Sequence, residues 1–100
     1  LAFAAGGTNQ NITLTPSGTG NTIINGNTGI GTNSPASSSQ LDVSSTTKGF
    51  LPPRMTSAQR SAIGSPTAGL MVYQTDNFGD GEGLYIYKSD GWYRLVEFAP

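Results

Sequence analysis

The sequence contains no cysteine and no histidine. Disulfide staples, thiolate nucleophiles, imidazole bases and the common zinc sites are excluded with them, and nothing in the chain reports the redox state of its compartment. Charge is scarce as well: five basic and six acidic residues leave a net −1, so no electrostatic pull toward nucleic acid or an anionic membrane exists. No apolar run approaches the ~20 residues of a membrane span, and Leu1-Ala2-Phe3-Ala4-Ala5 is too short and lacks the basic flank of a signal peptide. Without an initiating Met, the sequence reads as a segment of a longer chain. Large aliphatic and Phe side chains are few; Leu, Ile, Val and Phe make up 20 of 100 residues, near the ~20% level below which chains seldom fold alone. Ordering such a chain costs on the order of 100 to 200 kcal/mol of conformational entropy, which so sparse a core struggles to offset. With no disulfide and no expected cofactor or metal, oligomerisation is the remaining route to stability.

What is present divides into two regions, 1–48 and 49–100. The first carries no charged side chain before Asp42 and is dominated by Thr, Asn, Gly and Ser, a composition poor in helix formers. Asn11-Ile12-Thr13-Leu14-Thr15 alternates with period two and predicts a half-buried strand. Thr22-Ile23-Ile24 predicts another, and Asn25-Gly26 is the favoured pair for a type I′ turn. Short strands cornered by Gly, Asn and Pro at intervals of about ten residues fit a β-solenoid-like or intertwined fibre shaft, each rung too thin to bury its own face.

The second region opens on Gly49-Phe50-Leu51-Pro52-Pro53-Arg54-Met55, where two prolines impose an extended strip led by two large apolar side chains. Thr56-Ser57-Ala58-Gln59 is a capping box and predicts one short helix, with Ala58, Ala62 and Ile63 facing inward. From Gly69 the pattern predicts a three-stranded antiparallel meander, Leu70 to Thr75, Leu84 to Lys88 and Trp92 to Phe98, with Asp90-Gly91 marking the last hairpin. Alternation places Leu84, Ile86 and Lys88 on one face and Tyr85 and Tyr87 on the other. In the last strand it separates Trp92, Arg94, Val96 and Phe98 from Tyr93, Leu95 and Glu97. The expected architecture is mainly β: an intertwined, β-solenoid-like fibre shaft over 1–48, then a small β-meander head with one short helix over 49–100.

Several stretches also resemble a known family. Gly29-Ile30-Gly31-Thr32-Asn33-Ser34-Pro35 with Leu41-Asp42-Val43, then Gly49-Phe50-Leu51-Pro52-Pro53-Arg54-Met55, resembles the signature of bacteriophage tail fibres and of fibre-like surface proteins of Bacteroidetes. Tyr85-Ile86-Tyr87-Lys88-Ser89-Asp90-Gly91-Trp92 followed by Leu95 is similar to the hairpin of the fibritin trimerisation domain. The resemblance implies a homotrimer in the virion, as a tail or head fibre acting outside the cell, that trimerises a shaft and attaches to a host surface.

Catalysis finds little support. There are four Asp and two Glu, but no spacing singles out an acid and base pair, and Ser and Thr have no base to activate them. Asp76-Asn77-Phe78-Gly79-Asp80-Gly81-Glu82 offers oxygen ligands on a glycine-rich loop, yet departs from the EF-hand pattern and is ordinary turn chemistry. A non-enzymatic protein without cofactor is expected. Phe50, Leu51, Pro52, Trp92 and Leu95 are the candidate trimer contacts, and Tyr73, Tyr85, Tyr87 and Tyr93 the candidate contacts to a host-surface glycan. A carbohydrate-binding module that works as a monomer is the competing reading.

Overall fold

Backbone approach, and the glycines that permit it, decides how the first region folds. Thr28–Ile30 (β1) and Leu41–Val43 (β2) pair in parallel, with Thr28 opposite Leu41 and Ile30 opposite Val43. The pairing is extended by Thr28 N–H donating to the Gln40 carbonyl at 2.9 Å and Ser44 N–H donating to the Ile30 carbonyl at 2.8 Å. A Cβ on Gly29 would sit 2.6 Å from the Thr32 carbonyl oxygen, and one on Gly31, at φ +77°, would collide with that of Ser44. Gly31 is therefore required by the pairing itself, and Gly29 by the tight turn that leaves β1. The crossover from β1 to β2 is tied by Ser34 N–H donating to Thr32 Oγ1 at 3.0 Å and Ala36 N–H donating to Asp42 Oδ2 at 2.9 Å. The first charged residue of the chain is thus a backbone acceptor.

The structure, a computed structural model, describes residues 1–96 and divides the chain into two units, Leu1–Thr46 and Thr47–Pro100. In the first unit the strands expected at 11–15 and 22–24 are not formed, and Ile12, Leu14, Ile23 and Ile24 stand exposed. Alternation alone makes no strand; the backbone also needs a neighbour to pair with, and one copy supplies none there. Nor is Asn25-Gly26 a type I′ turn, since neither residue has positive φ. Instead the Gly26 carbonyl accepts from Thr28 Oγ1 at 3.2 Å and from Gln40 Nε2 at 3.1 Å.

Among its described residues, the second unit is a four-stranded sheet with one helix. Its elements are β3 (Arg54–Met55), α1 (Ser57–Ser61), β4 (Met71–Gln74), β5 (Gly83–Lys88) and β6 (Gly91–Arg94), in sheet order β3-β4-β5-β6. The antiparallel meander is there, and β3 adds a fourth strand, parallel to β4, that sequence alternation did not reveal. Tyr73 N–H donates to the Pro53 carbonyl at 2.8 Å and Thr75 N–H to the Met55 carbonyl at 2.9 Å. An edge strand needs only one bonding side, so prolines that lack N–H are tolerated at its entry. The expected capping box forms: Gln59 N–H donates to Thr56 Oγ1 at 3.2 Å, and Thr56 N–H donates to Gln59 Oε1 at 2.9 Å. The helix face differs from expectation. Ser57 is buried and Arg60 half-buried, whereas Ala58 and Ala62 are exposed, because the inward side chains are chosen by polar partners on the sheet.

In the β5–β6 hairpin the two loop residues are Ser89 and Asp90, neither with positive φ, and Gly91 follows at φ +140° as expected. Beyond β6, Leu95 N–H donates to the Leu84 carbonyl at 2.8 Å; the expected strand positions Glu97 and Phe98 lie outside the described residues. The buried apolar residues are Val72 and Tyr85, and the buried polar ones Ser57 and Gln74, among the described residues. No helix among those residues is long and apolar enough to cross a membrane.

Candidate functional site

The register of the second-unit sheet sorts its side chains into two faces with different fates. Val72 lies opposite Tyr85, Tyr85 opposite Arg94, and Tyr87 opposite Trp92, so these five share one face with Gln74. Arg60, reaching from α1, covers it: the guanidinium carbon lies 4.2 Å from the Tyr85 ring centre and 5.3 Å from that of Trp92. Tyr87 and Trp92 meet edge to face at 5.2 Å.

Gln74 is the polar centre of this covered face, with 0% of its surface exposed. Arg60 Nε donates to its Oε1 at 3.2 Å, and its Nε2 donates toward the carbonyls of Asp76 (3.0 Å), Phe78 (3.0 Å) and Gly81 (3.1 Å). The same loop is held at its ends by side chains. Ser57 N–H donates to Asp76 Oδ2 at 3.2 Å, and Tyr85 Oη donates to the Gly81 carbonyl at 2.7 Å. Of the oxygens that suggested a cation loop in the sequence, those of Asp76 are turned to the start of α1, three carbonyls to Gln74, and Glu82 to Tyr73. No cluster of three metal-ligating side chains occurs among the described residues. Beside α1, Ser57, Arg60, Asp76, Phe78 and Asp80 line a groove of about 510 Å³ in which the Phe78 ring is 76% exposed.

The opposite face has no cover among the described residues of the unit. Met71, Ile86 and Tyr93 form one cross-strand row, and Tyr73, Leu84 and Leu95 form the next. Met71, Ile86, Tyr93 and Leu95 are all exposed, and Tyr73 and Leu84 half-buried. Its two tyrosine hydroxyls are already engaged: Tyr73 Oη donates to Glu82 Oε2 at 2.7 Å and Tyr93 Oη to Asp90 Oδ2 at 2.8 Å. The Asp90 acceptor, and then its charge, raises the Tyr93 pKa above the ordinary value near 10. Lys88 Nζ lies 4.6 Å from the Tyr93 ring centre, which puts charge at the rim and leaves the middle apolar.

The residues singled out in the sequence fall on different surfaces. Phe50 and Leu51 are exposed, Pro52 half-buried, and Leu95 stands on the open face. Trp92 lies on the covered face under Arg60 and against Tyr87. Among the glycan candidates, Tyr73 and Tyr93 belong to the open face and Tyr87 to the covered one. Tyr85 is a correction: with 2% of its surface exposed, its ring under Arg60 and its hydroxyl bonded to Gly81, it is a core residue with no open face for a sugar. Met71, Leu84 and Ile86 were not singled out. Antiparallel pairing through Ser89-Asp90 brings the Leu84 and Ile86 set beside the Tyr93 and Leu95 set, a coincidence that each strand's alternation already contains.

A family model described as phage tail like trimerisation region matches residues 29–99. The chain belongs to that family. Membership brings self-association as a homotrimer and a structural role associated with the virion. The match begins inside β1 and takes in both the Gly-Ile-Gly pairing and the four-stranded sheet of this trimerisation region. Neither the curated proteins nor the solved structures yield a match.

Proposed function

We propose that the chain is a distal, trimer-forming segment of a phage fibre, which holds three parallel copies together and presents their tip to a host surface. The family match over 29–99 carries the reading. Three further observations support it. So small a buried core leaves much of the cost of ordering the chain to be met between copies. Ile12, Leu14, Ile23 and Ile24 stand exposed, and a shaft in which copies supply one another's missing strands covers them. Phe50 and Leu51, exposed on an extended strip ahead of β3, are placed to reach a neighbouring copy.

The segment acts by binding and carries out no reaction. Asp42, Asp76, Glu82 and Asp90 each hold a partner within the chain, which supports a structural use for those carboxylates. Attachment to a surface glycan is assigned to the groove beside α1, where the exposed Phe78 ring offers a stacking face next to Arg60, Asp80 and two serines. Light scattering of the 100-residue chain at micromolar concentration tests the trimer, and a labelled trimer on arrays of bacterial surface glycans tests attachment. Binding that falls at least tenfold in Phe78→Ala, with the trimer intact, is the expected result. A trimer that binds no glycan would reduce the function to clamping, and a folded, cooperative monomer would remove the fibre reading.

A further inference from the structure

We propose that the copies meet through the open sheet face of Met71, Leu84, Ile86, Tyr93 and Leu95, with the face carrying α1 and Trp92 turned away from the contact. The inference rests on the trimeric reading above and says which surface makes the trimer. The family requires a surface on this chain that receives further copies of itself, and the open face has the composition of one. It is centred on an inner strand: Ile86 of β5 has Met71 on one side and Tyr93 on the other. Such a position can be covered only from outside the sheet, and among the described residues no element of the second unit covers it.

The polar groups of the face decide between a second copy and a sugar. A sugar is held by free donors and acceptors, whereas a protein surface can bury a hydroxyl only if its hydrogen bond is already made. Both tyrosine hydroxyls are bonded inside their own chain, Tyr73 to Glu82 and Tyr93 to Asp90, so a second copy can close over the rings without orphaning a donor. Among the described residues, charge is confined to the margin of the face and is of both signs. Arg54 pairs in register with Tyr73 at one edge, Glu82 sits beyond it, and Lys88 and Asp90 stand at the hairpin end. An apolar middle within a mixed polar rim is the anatomy of a protein contact. The covered face differs, since its rings are already packed under Arg60 and its central amide bonded on both sides.

Because the sequence has no cysteine, one introduced thiol reports on one position. Ile86→Cys and Ala58→Cys mark the centre of the open face and the exposed side of α1, and both side chains are solvent-accessible in a single copy. In the assembled trimer, Ile86→Cys should react with a maleimide at least tenfold more slowly than Ala58→Cys. Ile86→Arg should abolish the trimer seen by light scattering, and Ala58→Arg should leave it intact. Equal labelling rates in an assembled trimer, or a trimer that survives Ile86→Arg, would overturn the assignment while leaving trimerisation standing. A wild-type monomer would instead overturn the reading beneath it, so the two failures are distinguishable. If the Arg variant fails to fold, the labelling comparison on assembled protein still decides.

Discussion

Gln74 shows how much a single buried amide can organise. Its oxygen takes the Arg60 Nε–H and its nitrogen faces three carbonyls of the 76–81 loop, so one side chain joins sheet, helix and loop. Gln74→Leu keeps most of the volume but orphans buried acceptors and the Arg60 donor. A loss of roughly 2 to 4 kcal/mol in urea unfolding is expected, and a loss under 1 kcal/mol would show that water replaces the amide. Tyr93 offers a test of sign. Its folded pKa is raised by the Asp90 hydrogen bond and charge, so the folded chain holds the phenolic proton more tightly than the unfolded one. That contribution is complete below about pH 10 and is lost as pH climbs from there through the folded value. Asp90→Asn should bring the Tyr93 titration back down, read as tyrosinate absorbance by difference against Tyr93→Phe. Superimposable curves for Asp90→Asn and wild type would mean that Asp90 does not govern this phenol.

At the scale of elements, two glycines mark the places where backbone geometry is least negotiable. Gly31→Ala forces a Cβ into the Ser44 carbonyl at a φ of +77°, and should cost about 1 to 3 kcal/mol of strain or break the β1–β2 pair. Hydrogen exchange at the Ser44 and Thr28 amides reads this directly, and protection unchanged from wild type would refute it. A Cβ added at Gly91 meets no neighbouring atom within 4 Å, so the penalty of Gly91→Ala is backbone strain alone, again roughly 1 to 3 kcal/mol, seen as a lower melting midpoint at fixed protein concentration. The elements legible in the sequence were those specified by neighbouring residues: the Thr56 capping box, the strands of the meander and the positive φ at Gly91. The rest depends on residues distant in the chain. β3 exists because Tyr73 and Thr75 need acceptors, and Arg60 turns inward because Gln74, 14 residues on, waits for it. The strands expected at 11–15 and 22–24 mark the opposite limit, since alternation describes what a strand would bury and says nothing of what it would pair with.

For the whole molecule, a chain whose core is completed by its own copies should unfold and dissociate together. Tenfold dilution should therefore lower its melting midpoint, whereas a midpoint independent of concentration would point to a self-sufficient monomer. Under the function proposed above, the segment works outside the cell, where ionic conditions are set by whatever water the particle drifts through. Glycine-rich loops that gather backbone carbonyls commonly rely on a dissolved cation to hold them, and lose shape when hardness falls or a chelator is present. Here the 76–81 carbonyls gather around the amide nitrogen of Gln74, a positive pole that is covalently part of the chain and present in every copy at fixed stoichiometry. The loop beside Phe78 should keep one shape in soft water, in brine and in EDTA, so the attachment proposed for it would need no recharging by its surroundings.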